Sequence, residues 1–493
     1  MSKPITIVAN AVKAKLIDVD EDVKLLISDR LSYYVNGYDM TDSFRSGSWD
    51  GRSTFFDYGS CVFPAGFVSS VASTLTRAGH KVMVRRKSLP APLGLSVDKA
   101  YSAVNPFDVD PKYDYQPETV KRLLKHGQMI AQVATGGGKS MVARTAVKAI
   151  MRPSIFITTR QVLMYQMKEG FEEAGFKVGV MGDGEWAPKR GINVAMVQTI
   201  HSRLANPKTA LATRQLMQMM ELAILEEAHE ASSDTYYDVM NSMTNANYRL
   251  SLTATPFMRA EGEDNMRLMA VSGQVGIKIS EKLLIDRGVL AKPYFKYAKA
   301  PMPAELLRSS GWQKAYDLGI TNNQARNGII IDETVRAAGL GLGTMILVQR
   351  KAHGALLKEA LKAKGILVDF IYGGHDQDRR QRSLNKLRDG TLQVLIGSTI
   401  LDVGVDVPAV GLVILAGGGK AEIALRQRIG RGLRAKKLGP NVCMVLDFED
   451  GKNKHLINHY KTRKNIIVGT PGFNENIIKP GKDFPYKELG FIK

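Results

Sequence analysis

The sequence predicts an α/β protein with two doubly wound parallel-sheet lobes in tandem, preceded by a small α+β module. Three observations predict it. Short apolar runs alternate with amphipathic helical stretches between residues 112 and 290. A glycine-rich turn, Ala134-Thr135-Gly136-Gly137-Gly138-Lys139-Ser140, joins one apolar run to a helix. The alternation then restarts near residue 345 without a second such turn. The expected divisions are a module at 1–90, a linker at 91–111, a first lobe at 112–290, a second lobe at 291–450 and a basic extension at 451–493.

Composition narrows the class. The chain of 493 residues is 44% hydrophobic and 24% charged, ordinary for a globular protein and enough for more than one core. Its net charge of +20 is uneven, with +9 in residues 291–450 and +6 in residues 451–493. That field suits a polyanion, nucleic acid first, although a generally basic surface has the same composition. Cys61 and Cys443 stand far apart, which argues against a disulfide framework or zinc cluster and for a reducing compartment. The first residues do not read as a signal peptide, and no apolar run is long enough to span a bilayer, so a cytoplasmic protein without membrane contact is expected.

In the module, weak alternation predicts strands at 5–8 and 14–19, and a helix at 21–34 presents Val23, Leu26, Ile27 and Leu31 on one face. Asp50-Gly51 between apolar stretches predicts a hairpin. A second helix at 64–78 and a strand at 81–84 follow. Trp49 either packs under the hairpin or faces a DNA end. Arg45 and Arg52, with Arg85, Arg86 and Lys87, are candidate phosphate contacts or solvated surface. Prolines 90, 92, 106 and 111 mark the linker.

In the first lobe, glycines without Cβ atoms let the backbone N–H groups of residues 135–138 curl around one anion, at the positive end of the next helix. Lys139 would reach the outer phosphates and Ser140 would hold Mg2+. The strict phosphate-loop pattern asks for glycine where this chain has Val133. Gln116 carries an amide suited to an adenine edge. Apolar strands at 155–157 and 194–197 run into Thr158-Thr159-Arg160 and Gln198-Thr199. Ligands of such sheets sit at strand carboxyl ends. The strand at 222–225 ends in Glu226-Glu227-Ala228-His229. Glu226 would hold the metal through water, and Glu227 would orient and deprotonate the attacking water. The hydroxyls of Thr253 and Thr255 could relay the state of the acids, or form a plain turn before Pro256.

In the second lobe, strands are expected at 345–348, 367–372, 394–396 and 412–415. On a helix, Gln427, Arg431 and Arg434 would share one face, with both arginines stabilising charge on a transferred phosphoryl group; a nucleic-acid-binding or salt-bridged helix is the alternative. Ser398-Thr399 opens a polar loop that runs to Asp406.

Residues 134–140, 226–229, 253–256, 398–408 and 427–434, in this order, resemble motifs I, II, III, V and VI of superfamily-two helicases. Motif V resembles the form in RecG-type branch-migration helicases. The segment Phe44-Arg45-Ser46-Gly47-Ser48-Trp49-Asp50-Gly51-Arg52 is similar to one near the start of the UvsW family of phage helicases. The resemblance implies RecA-like lobes with ATP and Mg2+ held where they meet. It implies phosphate contacts by Ser398 and Thr399, and Asp406 coupling the nucleotide to the nucleic-acid track. It implies an ATP-dependent DNA helicase or translocase acting on forked or branched duplexes, with Arg160, Gln198 and Thr199 among the DNA contacts and His229 in coupling. The expected setting is a bacterial or phage-infected cytoplasm, as a monomer, with replication or recombination proteins as further partners. Glu226 departs from the family, which usually has aspartate there; the charge is kept and a methylene is added. The alternatives are the translocating subunit of a restriction-type system, an RNA helicase, and a non-hydrolysing ATP-gated DNA-binding protein.

Overall fold

The computed structural model describes residues 4–86, 88–105, 110–228, 234–257, 262–398, 409–419, 429–430, 432–436 and 439–492. These form two compact units. The first holds residues up to Lys278, except for the short segment Ala134–Gly137, which groups with Ile279–Lys493 in the second.

The N-terminal module has strands β1 (Ile5–Ala9), β2 (Lys13–Ile17), β3 (Ser32–Tyr34), β4 (Arg52–Thr54), β5 (Val62–Pro64) and β6 (Val82–Arg86). A four-stranded sheet in the order β5-β2-β1-β6 packs its apolar face on α1 (Glu21–Arg30) and a helix at Val68–Arg77. The helix α1 starts at Asp20, whose carboxylate caps the Val23 amide, and stops early enough for 32–34 to form β3 rather than more helix. The expected hairpin at Asp50-Gly51 is not formed. Residues Asp42–Arg45 are a short helix capped by Thr41, and β4 pairs antiparallel with β3. Gly51 has φ 80°, and a Cβ there would lie 2.3 Å from the Tyr38 ring, so the glycine serves a close approach. The module shares a core with its neighbour. Ala270, Met269 and Tyr237 join Phe55 and Phe67, and a Cβ on Gly66 would meet the Met269 carbonyl at 1.9 Å.

The stretch expected as a linker carries a helix, Val97–Val104, with Ala100 and Tyr101 buried. Its approach is fixed by backbone bonds, with the Leu93 amide donating to the Ile150 carbonyl at 3.0 Å. A Cβ on Gly94 would lie 2.1 Å from the Lys148 carbonyl. Proline-rich sequence here marks a packed strap rather than a loose tether.

The first large sheet contains β7 (Gln128–Val133), β8 (Ser154–Thr158), β9 (Val178–Gly182), β10 (Glu185–Ala187), β11 (Ile192–Met196), β12 (Leu222–Glu226), β13 (Tyr248–Thr253) and β14 (Val275–Ile279). Their order is β10-β9-β11-β8-β12-β13-β7-β14, and β9 through β7 run parallel. Strands β8, β12 and β13 are buried along their whole length, as a sheet covered on both faces requires.

The second sheet is parallel throughout, with β15 (Lys292–Ala298), β16 (Thr344–Leu347), β17 (Val368–Ile371), β18 (Val394–Gly397), β19 (Leu412–Ile414) and β20 (Val442–Phe448) in the order β15-β20-β19-β16-β18-β17. The C-terminal residues belong to this unit's core. A helix, Lys454–Val468, buries Leu456, Arg463, Ile466 and Ile467, and Phe484 and Tyr486 pack with the sheet's apolar cluster. Among the described residues, no helix is long and apolar enough to cross a membrane.

Candidate nucleotide and nucleic-acid site

Parallel strands that lie side by side end on the same edge of the sheet. The order β11-β8-β12-β13-β7 therefore lines up, in one row, the segments that follow these strands. At one end is the glycine-rich loop after β7. Val133 is the last residue of that strand and fully buried, so a β-branched side chain suits it and the curl begins only afterwards. Gly136 and Gly138 take left-handed φ angles of 87° and 79°, and the Gly137 amide donates to the Ala134 carbonyl at 3.0 Å. Gly138 caps the helix Lys139–Ile150. A Cβ on Gly138 would lie 2.2 Å from the Gln116 amide nitrogen, so Gln116, buried on the helix Tyr115–His126, packs directly on the loop. Thr135 is half-buried, and Ser140 is exposed at the helix start.

The acids stand two strands away. Glu226 ends β12, and Glu227 follows with φ 48°. A left-handed glutamate costs of order 1–3 kcal/mol, a strain typical of residues whose position is imposed by function. The Lys139 ammonium lies 3.9 Å from the Glu227 carboxylate, their side chains only 11% and 9% exposed. Between loop and acids runs β13. Register places Glu226 beside Leu252 and Thr253 beside Gln132. The Gln132 amide donates to the Ala254 carbonyl at 3.3 Å, and the Thr253 hydroxyl accepts the Thr255 amide at 3.2 Å. The Thr255 hydroxyl is buried with no hydrogen-bond partner among the described residues. At the other end of the row, Arg160 is exposed just before the helix Gln161–Glu173, and Gln198 and Thr199 form the first turn of Val197–Ala205.

In the module, Trp49 is half-buried and its indole N–H donates to the Arg52 carbonyl at 2.7 Å. Arg52 bonds Asp29 at 2.8 Å, while Arg45 is exposed. In the second unit, Ser398 follows β18 and its amide donates to the Ile371 carbonyl at 3.2 Å. Arg434 lies beyond the helical residues 429, 430 and 432, in a β-bridge with Leu290, so it does not continue the expected helical face. His229, Thr399, Asp406, Gln427 and Arg431 lie outside the described residues.

Sequence reasoning missed a set of side chains that grip the backbone after β19. Arg326 donates to the Ala416 carbonyl at 2.6 Å, Tyr316 to Gly417 at 2.6 Å, Gln349 to Gly418 at 3.2 Å and Arg463 to Gly419 at 3.0 Å. Arg326 and Arg463 are buried against Asp447 and Asp450. Burial alone would lower the Arg463 pKa, but the two carboxylates hold it above its ordinary value. This clamp fixes the start of the segment that leads to the arginine-rich stretch. The signal was the run Gly417-Gly418-Gly419, whose last two residues take left-handed φ angles of 63° and 96°.

Among the described residues no group of three His, Cys, Asp or Glu side chains is placed to hold a metal. A phosphate-bound magnesium ion does not need one, because it takes one or two protein oxygens and fills the remaining positions with phosphate and water. The Ser140 hydroxyl and the buried Glu226 carboxylate fit that requirement.

Three family models match the chain: "DNA helicase UvsW, N-terminal" over residues 8–85, "Type III restriction enzyme, res subunit" over 111–258 and "Helicase conserved C-terminal domain" over 329–436. The chain is 22% identical to the ATP-dependent DNA helicase uvsW of Enterobacteria phage T4, over 88% of each protein. It is 28% identical to the DNA 3'-5' translocase XPB2 of Sulfurisphaera tokodaii, over 66% of this chain and 78% of that protein. In fold it is similar to the DUF1998 helicase MrfA, with a TM-score of 0.57 at 15% identity, covering 77% of this chain and 52% of that one. With a glycine-rich turn, paired acids and helicase-type matches in sequence along two parallel sheets, this chain is a superfamily-two helicase, a nucleic-acid-dependent ATPase that resembles the UvsW family.

Proposed function

We propose that the protein is an ATP-driven DNA motor that remodels branched duplexes, regressing forks and migrating Holliday junctions. The observation that carries this reading is the UvsW-type match at residues 8–85 on a module that shares a core with the ATP-site lobe. A module fused in this way moves with that lobe, so a nucleotide-driven displacement is delivered to whatever DNA arm the module holds.

The residues divide the work. The loop amides at 135–138 and Lys139 bind phosphate oxygens, and Gln116 reads the adenine edge. Ser140 and Glu226 hold magnesium, which supplies charge neutralisation at the phosphates. Glu227 orients the attacking water and takes its proton at the carboxylate. Thr253, Thr255 and His229 carry the state of the acids onward, with Asp406 coupling to the track. Arg431 and Arg434 are the cations for charge developing on the phosphoryl group. Arg160, Gln198, Thr199, Ser398 and Thr399 contact the DNA backbone, and Arg45, Trp49 and Arg52 meet a duplex arm.

The test compares ATP-driven processing of a fork, a four-way junction and a duplex with a single-stranded tail. Faster processing of the two branched substrates is expected. Equal rates on all three would remove the branch preference, and ATP turnover indifferent to DNA would remove the motor. The match over residues 111–258 also supports a restriction-type translocase. That reading requires a stable complex with a nuclease subunit, visible on co-purification.

A further inference from the structure

The second sheet has a basic cavity at its edge, and none of the residues assigned above lines it. β15 is the edge strand, and the C-terminal segment closes over it, with the Ile478 amide donating to the Phe295 carbonyl at 2.8 Å. On the other side the helix Lys454–Val468 brings Tyr460 to Tyr297, ring centroids 5.8 Å apart and edge to face. Between them lies a cavity of about 590 Å³ whose lining includes five lysines and only two carboxylates, Glu449 and Asp483.

The ion pairs show which charges are already spent. Lys296 is held by Glu333 and Asp483, and Lys299 by Glu449 at 3.1 Å. Asp483 is further engaged by Arg336. Lys464 sits 5.6 Å from the centroids of both the Tyr297 and Tyr460 rings. Lys464, Lys479 and Lys482 are exposed and have no carboxylate partner among the described residues. The Tyr297 hydroxyl is buried with no hydrogen-bond partner among the described residues. Burial and then the charge of Asp447 push its pKa up, so it remains a proton donor.

Position adds to the chemistry. Ala298 and Phe448 end β15 and β20, so Lys299 and Glu449 stand at the carboxyl edge of the sheet, as Ser398 does after β18. That edge is where parallel sheets bind ligands. The three uncommitted lysines are divided between a helix, which carries Lys464, and a turn closed by the Lys482 amide donating to the Lys479 carbonyl at 3.1 Å, rather than focused on one point. Such a spread fits a run of phosphates along a strand better than one small anion. Lys464 caps both tyrosine rings, which leaves backbone contact rather than base stacking.

We propose that this cavity is a second, sequence-independent DNA-backbone site, in which Lys464, Lys479 and Lys482 hold phosphates. It gives the basic C-terminal residues a task, and it rests on the reading of the protein as a DNA motor.

The test uses the full chain and measures binding of a fluorescent duplex across a salt series. The double substitution Lys479→Glu and Lys482→Glu should weaken binding at least about tenfold at 0.1 M salt and lower the slope of log K against log salt by about 2, one for each lost phosphate contact. The pair Lys479→Arg and Lys482→Arg keeps the charge and should bind as wild type. Thermal melting of each variant reports whether it folds. Unchanged affinity and slope in the glutamate pair, with wild-type DNA binding intact, would overturn the site while leaving the motor untouched. Absence of DNA binding by the wild type would instead overturn the motor. If pyrophosphate at millimolar concentration bound the wild type, was lost in the glutamate pair, and duplex binding stayed the same, the cavity would be a small-anion site and the proposal would fail.

Discussion

Lys139 and Glu227 place opposite charges 3.9 Å apart in a largely buried setting, one at the phosphate loop and one at the end of β12. Removing either therefore tests a different half of the chemistry. Lys139→Ala should abolish measurable ATP turnover and weaken nucleotide binding, while DNA binding in a gel-shift assay persists. Equal turnover in the variant would remove the loop from the mechanism. Glu227→Gln keeps the size and loses the proton acceptor, so turnover should fall about 10²–10⁴-fold with little change in ATP affinity. A change confined to affinity would contradict the base assignment. That Lys139 and Glu227 meet in one candidate site was legible in the sequence because each follows an apolar strand of the same parallel sheet. The left-handed backbone of Glu227 was not, since that conformation advertises itself only through glycine, asparagine or aspartate.

At the scale of elements, strands buried on both faces were the readable part, because continuous apolar runs such as β12 have few other homes. The failures have physical causes. Asp50-Gly51 has hairpin chemistry, but Gly51 is needed against the Tyr38 ring and β4 found its partner in β3, some twenty residues earlier in the chain. The stretch at 91–111 was read through its prolines, whereas α-helical packing there depends on Ala100 and Tyr101 meeting the first lobe. The helix Lys454–Val468 looked like a charged extension because its key contact is a buried arginine, whose role shows only when Asp447 and Asp450 are beside it. Arg463→Leu would strip Asp447 of its cationic partner, leave Asp450 to Arg326 alone and remove the bond to the Gly419 carbonyl. A loss of about 3–5 kcal/mol is expected, read as a lower urea midpoint at constant m-value. Arg463→Lys should rescue little of it, because one ammonium cannot replace a fork that reaches Asp447, Phe448, Asp450 and Gly419.

Over the whole molecule, charge and chemistry are distributed differently. The phosphate loop and paired acids fall in the first 290 residues, where the net charge is only +5, while residues 291–493 carry +15. On the proposed function the early part serves nucleotide chemistry through placed groups, and the later part contributes most of the polyanion field. Nucleic-acid affinity built on such a field comes mainly from released counterions, so it must depend steeply on salt. With six or more phosphate contacts, raising salt from 50 to 200 mM should weaken duplex binding by at least about 10³-fold. ATP turnover without DNA should vary far less over the same range, because Lys139 and Glu227 are screened from solvent ions by burial. Turnover stimulated by DNA should follow the binding curve and recover when the DNA concentration is raised. A flat binding response would mean that uncharged contacts dominate and that the basic second half serves another purpose. A parallel collapse of basal and stimulated turnover would place the salt-sensitive step at the nucleotide site itself.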